Sequence, residues 1–348
     1  MRRYTLLQVV FLVSMILIIG LRVPTAQAAL TLTTEGINDG FILTTFVSGY
    51  NFGGAYGPLA QGIDSNGHVI TGSVGDRKIY VFSDVDNQTL AGALSATPYA
   101  DLTGNPNYAM TTAGGQVYGA QLQGSAPYEH FNDNGTHSAI PVLSVTTPVI
   151  SATNFLGMWG NPVNGHIIAA SNQGLIDIDP VAGTFRVINA GLRPDGVSVS
   201  PDGTVAFVEN GGTVQSYNIA TGALIHQFNT GHAPDGTGVI IGGKFNGNVI
   251  VNNNDGTVGL LDPTKADADP TQFVIIANGG TRGDFVSPDT SNGTLFLSQI
   301  ERVDRLSCGP GCSIGVAPPP TGVPEPTTLV LLGSGLAGMY ALRRRRQT

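Results

Sequence analysis

The sequence predicts an all-β chain closed into a six-bladed β-propeller. Three observations carry this: a body rich in tight-turn residues, a strand-turn-strand pattern repeated six times, and no stretch between Ala29 and Pro318 with sustained helical periodicity. Gly is 48 of 348 residues, only 11% of the chain is charged and 7% is aromatic. Such composition suits many short strands joined by turns and excludes a coiled coil or a disordered acidic tail.

The repeat is clearest from Arg193 to Phe228. Val197 and Val199 alternate with Ser198 and Ser200, and turn signals fall at Pro201-Asp202-Gly203, Gly211-Gly212 and Thr221-Gly222, leaving room for four antiparallel strands. Further copies begin at Ala233 and Arg282, and weaker ones near Gly57, Asn107 and Asn154. A spacing of roughly 40 to 50 residues is that of a propeller blade. The last copy supplies only three strands, while Phe41 to Val47 (FILTTFV) precedes the first copy with no role. Closing a ring removes exposed sheet edges, so this N-terminal strand is expected to complete the last blade.

The ends read as address labels. Residues 1–28 have a basic start at Arg2 and Arg3, an apolar run from Leu6 to Leu21 and the small-residue pattern Ala26-Gln27-Ala28, as in a secretory signal peptide cut after Ala28. The propeller is assigned to 29–316, a Pro-rich linker to 317–323, and a sorting and membrane segment to 324–348, with hydrophobic helices expected at both termini. Cys308 and Cys312 frame Cys-Gly-Pro-Gly-Cys, which in an oxidising compartment favours a small disulfide loop over a metal or redox site. Seven of the 16 Lys and Arg lie in the two end segments, leaving nine in the body against 23 of the 24 acids, a balance of −14. That balance argues against nucleic acid as a partner.

The C-terminal order, Pro324-Glu325-Pro326, an apolar run from Thr327 to Leu342 and four Arg from Arg343, resembles the PEP-CTERM sorting signal of Gram-negative bacteria. The resemblance implies an exosortase-type processing enzyme as partner, transient residence in the inner membrane, and a final place at the cell surface or in the extracellular, exopolysaccharide matrix. The repeats look like those of NHL and gluconolactonase-like six-bladed propellers, a grammar shared by enzymes and inert binding scaffolds.

Aligning the copies puts Asp195, Asp235 and Asp284 at one point, where each inner strand begins. Acids at one level of a ring can converge on its channel and hold Ca²⁺ or another divalent metal, although Asp in Pro-Asp-Gly also serves turns by bonding its own backbone. Gluconolactonase-like propellers hold a metal with Glu, Asn and Asp, a set that Glu209, Asn252 and one of the aspartates resemble, with Glu209 as ligand or general base. The first half offers no matching acid except Asp64. The six His show no metal spacing, and Arg282-Gly283-Asp284 fills the repeat's turn slot instead of marking an adhesion site. Trp159, with Met158, Tyr56 and Tyr108, suggests a sugar-stacking platform. Two functions are expected from these features: a binding or structural module for a polysaccharide or surface-protein ligand, or a divalent-metal lactonase, hydrolase or lyase acting at the channel.

Overall fold

The computed structural model describes residues 29–53, 56–98, 108–121, 128–140 and 142–309. The signal segment, the linker and the sorting segment, with the hydrophobic helices expected at both ends, lie outside the described residues; among those described, no helix is long and apolar enough to cross a membrane.

Six sheets, each built on four antiparallel strands, follow one another along the chain. Their innermost strands are Pro58–Ile63, Tyr108–Ala113, Met158–Gly160, Val197–Val199, Pro234–Val239 and Val286–Asp289, here blades 1 to 6, and each matches one copy of the repeat. Every inner strand connects by a hairpin to a second strand, as Val197–Val199 does to Val205–Asn210. At the Pro201-Asp202-Gly203 turn, Asp202 accepts from the Thr204 backbone N–H at 3.1 Å, and Gly203 takes φ 72°, a conformation that strains any residue with a Cβ.

Ring closure follows the expectation. Phe41–Ser48 pairs antiparallel with Arg302–Cys308, from Phe41 opposite Cys308 to Ser48 opposite Arg302, and completes blade 6. Early and late chain therefore share one sheet, and opening the ring would strip blade 6 of its outer strand. Cys308, which ends this sheet, is disulfide-bonded, and Cys312 lies outside the described residues.

Three features depart from the sequence reading. A short helix, Thr34–Asp39, precedes the closing strand; Thr33 caps it through a 3.1 Å bond from the Gly36 N–H, and Gly40 ends it at φ 85°. Six residues are too few for periodicity to reveal. Two-residue strands add a fifth member to three sheets: Thr31–Leu32 on blade 5, Gln88–Thr89 on blade 6 and Leu143–Ser144 on blade 3. The first ties the segment before the short helix to blade 5, and the second ties the loop between the third and fourth strands of blade 1 to the closing strand. Lastly, Asp64 lies in the hairpin after its inner strand, at the ring face opposite the repeated aspartates. There its carboxylate accepts the Asn66 and His68 N–H groups at 2.8 and 2.7 Å.

The apolar core is shared between blades. One cluster joins blades 1, 2 and 3 through residues such as Ile70, Phe131 and Phe185, and another joins blades 3 to 6 through Trp159, Val208, Ile250 and Leu297. A blade cannot bury its two faces alone, so the repeat is stable only as a ring.

Candidate functional site at the channel mouth

Asp195, Asp235 and Asp284 begin neighbouring inner strands, and glycine sets how closely those strands approach. A Cβ added at Gly157 would lie 2.0 Å from the Asp195 carbonyl oxygen, one at Gly196 2.1 Å from that of Asp235, and one at Gly236 1.9 Å from that of Asp284. No side chain fits at such distances, so glycine lets blades 3 to 6 converge at this level and carries the three acids together. In blade 6 the equivalent slot holds Phe285, which is buried in the core, and the series of glycines ends there.

Arg282 lies within this group. Its Nη2 donates to Asp235 Oδ2 and its Nη1 to Asp284 Oδ2, both at 3.0 Å. The guanidinium also stacks on the Tyr56 ring, 4.4 Å from its centroid. One cation serves three acids. Burial, then the charges of Asp284 and Asp195, push Asp235 up to about 8, although Arg282 pulls the other way. Burial pushes Asp284 up to about 7, Arg282 opposing. Asp195 is raised by burial too, with Arg282 opposing. Burial and crowding of like charges favour the protonated carboxyls, so near neutral pH the cluster holds protons as well as the guanidinium.

Glu209 ends the second strand of blade 4 beside Asp195. Its Oε1 accepts from the Gly212 N–H at 3.0 Å. Burial and the Asp195 charge raise its pKa. The structure thus brings Asp195, Asp235, Asp284 and Glu209 to one mouth of the ring.

Asn252 has another task. Fully buried, it donates through Nδ2 to the carbonyls of Phe285 at 3.3 Å and Ser298 at 2.9 Å, while its Oδ1 accepts from Gln299 Nε2 at 3.3 Å. Its amide is consumed in joining blade 5 to blade 6. Arg282 fills the space between Asp235 and Asp284, and among the described residues no three His, Cys, Asp or Glu are disposed to hold a metal ion. The donor set of Asp195, Asp235, Asp284 and Asn252 therefore does not fit a divalent metal as it stands here, and the guanidinium takes the cation's place.

Sequence reading missed Arg282 and Tyr56 as members of this site. A signal existed: Arg282 stands two residues before its aspartate, as Arg193 stands before Asp195. The slot alone is not enough, because Arg193 turns away and donates to the Asn154 carbonyl at 3.3 Å. The stacking platform does not form: Trp159 is 1% exposed and Met158 buried, Tyr56 stands at the carboxylate mouth, and the side chain of Tyr108 lies outside the described residues.

Comparisons with known proteins bear on the two ends of the argument. Residues 322–346 match the PEP-CTERM protein-sorting motif. No curated protein sequence matches the chain. Among solved structures, a gluconolactonase from Xanthomonas campestris aligns with TM-score 0.57 at 12% identity, covering 82% of this chain and 97% of the other. A putative gluconolactonase aligns with TM-score 0.55 at 14% identity over 83% of this chain and all (100%) of the other. An aldose sugar dehydrogenase from Streptomyces coelicolor, in its PQQ-bound form, aligns with TM-score 0.52 at 11% identity over 82% of this chain and 100% of the other. At such identities the likeness is one of fold. The chain is thus a six-bladed propeller, similar in fold to these enzymes, that carries a PEP-CTERM signal, which implies export, a membrane-anchored sorting step and processing by an exosortase.

Proposed function

We propose that the exported propeller is a binding module of the cell surface or exopolysaccharide matrix, taking a neutral, hydroxyl-rich chain at the mouth formed by Tyr56, Arg282 and the three aspartates. The observation that carries this is the pairing of Arg282 with Asp235 and Asp284 at 3.0 Å while its flat face rests on Tyr56, a half-exposed ring. Hydroxyls donate to carboxylates and accept from guanidinium N–H groups, and an aromatic ring offers a face to a sugar. A cationic ligand would compete with Arg282 for the same oxygens, and an anionic one would meet the −14 balance of the body. The test is equilibrium binding of the exported chain to native matrix polysaccharide and to neutral oligosaccharides. Wild type should bind, and Arg282→Ala should bind about tenfold more weakly, the loss of one charge-assisted contact. No binding by wild type at millimolar sugar, or equal binding by both proteins, overturns the reading.

A hydrolytic reading of the same mouth rests on Glu209, whose carboxyl is held up by burial beside Asp195 as a general acid or base would be. Turnover of a lactone or glycan panel that disappears in Glu209→Gln would favour it over binding alone.

A further inference from the structure

The inner strands have a second end. Where they run into their hairpins, at the ring face opposite the carboxylates, a cavity of about 540 Å³ opens between blades 2, 3, 5 and 6. In blade 6, Asp284 precedes the inner strand and Pro288 lies near its end, four residues or about 13 Å of extended chain apart. The two mouths are therefore separate sites.

The walls of this cavity are unlike those of the other mouth. Ala113, Trp159, Pro162, Ile241 and Pro288 give it an apolar lining, and no charged side chain faces it. Two of its polar side chains are already spent. Asn161 accepts from the Val163 N–H and donates to the Gly203 carbonyl, each at 3.0 Å, and the Thr112 hydroxyl accepts from the Ile63 N–H at 2.7 Å and donates to the Ile63 carbonyl at 3.2 Å. What remains is the indole N–H of Trp159, which has no hydrogen-bond partner among the described residues, and the hydroxyl of exposed Thr290 at the rim. Trp159 is 1% exposed and lines the cavity, so its unpaired donor is buried at the wall. A buried donor of this kind is completed by an acceptor that enters with a ligand.

We propose that this mouth is a second ligand site, specific for a small uncharged ring compound that carries one hydrogen-bond acceptor for Trp159 Nε1. The volume suits one such molecule. Charge is rejected because an ion entering an apolar, counterion-free cavity loses its hydration with nothing in exchange. The proposal does not depend on the carboxylate mouth, and a ligand here leaves Arg282 untouched.

Trp159 is the only tryptophan in the chain, so its emission reports on the site alone. The experiment titrates the exported chain with ε-caprolactam, a neutral ring with a carbonyl acceptor, and in parallel with cyclohexanecarboxylate and cyclohexylammonium. A saturable change in tryptophan emission with caprolactam is expected, with each charged ring at least tenfold weaker. In Thr290→Phe, which fills the rim from an exposed position and leaves the core intact, the saturable change should vanish while far-ultraviolet circular dichroism and the melting temperature stay at wild-type values. A linear, unsaturable response to caprolactam, equal affinity for the charged rings, or an unchanged titration in folded Thr290→Phe would each overturn the proposal.

Discussion

Arg282 and Arg305 are each gathered among three aspartates, and they end in opposite roles. Arg305 lies in the third strand of blade 6 against the rings of Phe46 and Phe296, 5.1 and 4.9 Å from their centroids. Its Nη1 donates to Asp289 at 3.0 Å, its Nε lies 2.8 Å from Asp86 Oδ1, and its Nη2 pairs with Asp84. The side chain is 7% exposed, against 26% for Arg282. Phe46 comes from the N-terminal strand, Asp84 and Asp86 from the loop between the third and fourth strands of blade 1, and Asp289 from the inner strand of blade 6. Arg305 therefore rivets the seam where the ring closes. Buried against two rings, with both terminal nitrogens paired to carboxylates, it presents little of its guanidinium to a ligand. Arg282, with the same number of acids, sits on one exposed ring at a mouth. Equal charge recipes thus give a fastener or a site according to what covers the guanidinium.

The largest expected effect breaks the fastener. Arg305→Ala leaves Asp84, Asp86 and Asp289 crowded without their cation, and losing one partner of a buried ion pair costs about 3–5 kcal/mol. Denaturant unfolding should show that loss, and limited proteolysis should cut first in the N-terminal strand. A loss below about 1 kcal/mol would place Arg305 with ordinary surface ion pairs. Next comes Gly196→Ala, whose Cβ would stand 2.1 Å from the Asp235 carbonyl oxygen. Overpacking of this kind costs about 1–3 kcal/mol by the same measurement and should also weaken ligand binding at the carboxylate mouth by pushing blades 4 and 5 apart.

The pH dependence sharpens the contrast. Asp235 at about 8 and Asp284 at about 7 bind protons more tightly folded than unfolded. Their contribution to stability is complete below the ordinary carboxyl range near 4, declines as the pH rises, and is gone above about 8. Urea melts between pH 5 and pH 9 should therefore show stability falling with pH, and Asp235→Asn should flatten the slope. A slope unchanged by that substitution would mean the protons reside elsewhere. The smallest effect is expected from Glu209→Gln, which keeps an oxygen for the Gly212 N–H and should shift stability by no more than about 0.5 kcal/mol.

Much of the fold was legible because turns and strands announce themselves locally. Asp202-Gly203 and its counterparts mark hairpins through the left-handed conformation glycine tolerates, and alternation at Val197 to Val208 marks the strands between them. Counting strands was enough to predict that Phe41–Ser48 closes the last blade. The two-residue strands at Thr31, Gln88 and Leu143 were beyond reach, since their pairing partners are set by the curvature of the ring and not by any pattern of their own. The site was half legible. Alignment of the repeats put Asp195, Asp235 and Asp284 at one level, but it said nothing of Arg282 crossing to Asp235, 47 residues away in sequence, or of Tyr56 beneath it.

By itself the sequence determined the address of this protein, its six repeats and the level at which the acids would stand, because each is written in residues close together in the chain. Only the tertiary structure decided which acids share Arg282, that Asn252 is a strut between blades, and that Arg305 rivets the seam. Those outcomes depend on contacts between distant segments, where burial and the reach of one guanidinium choose among partners that local patterns leave equivalent.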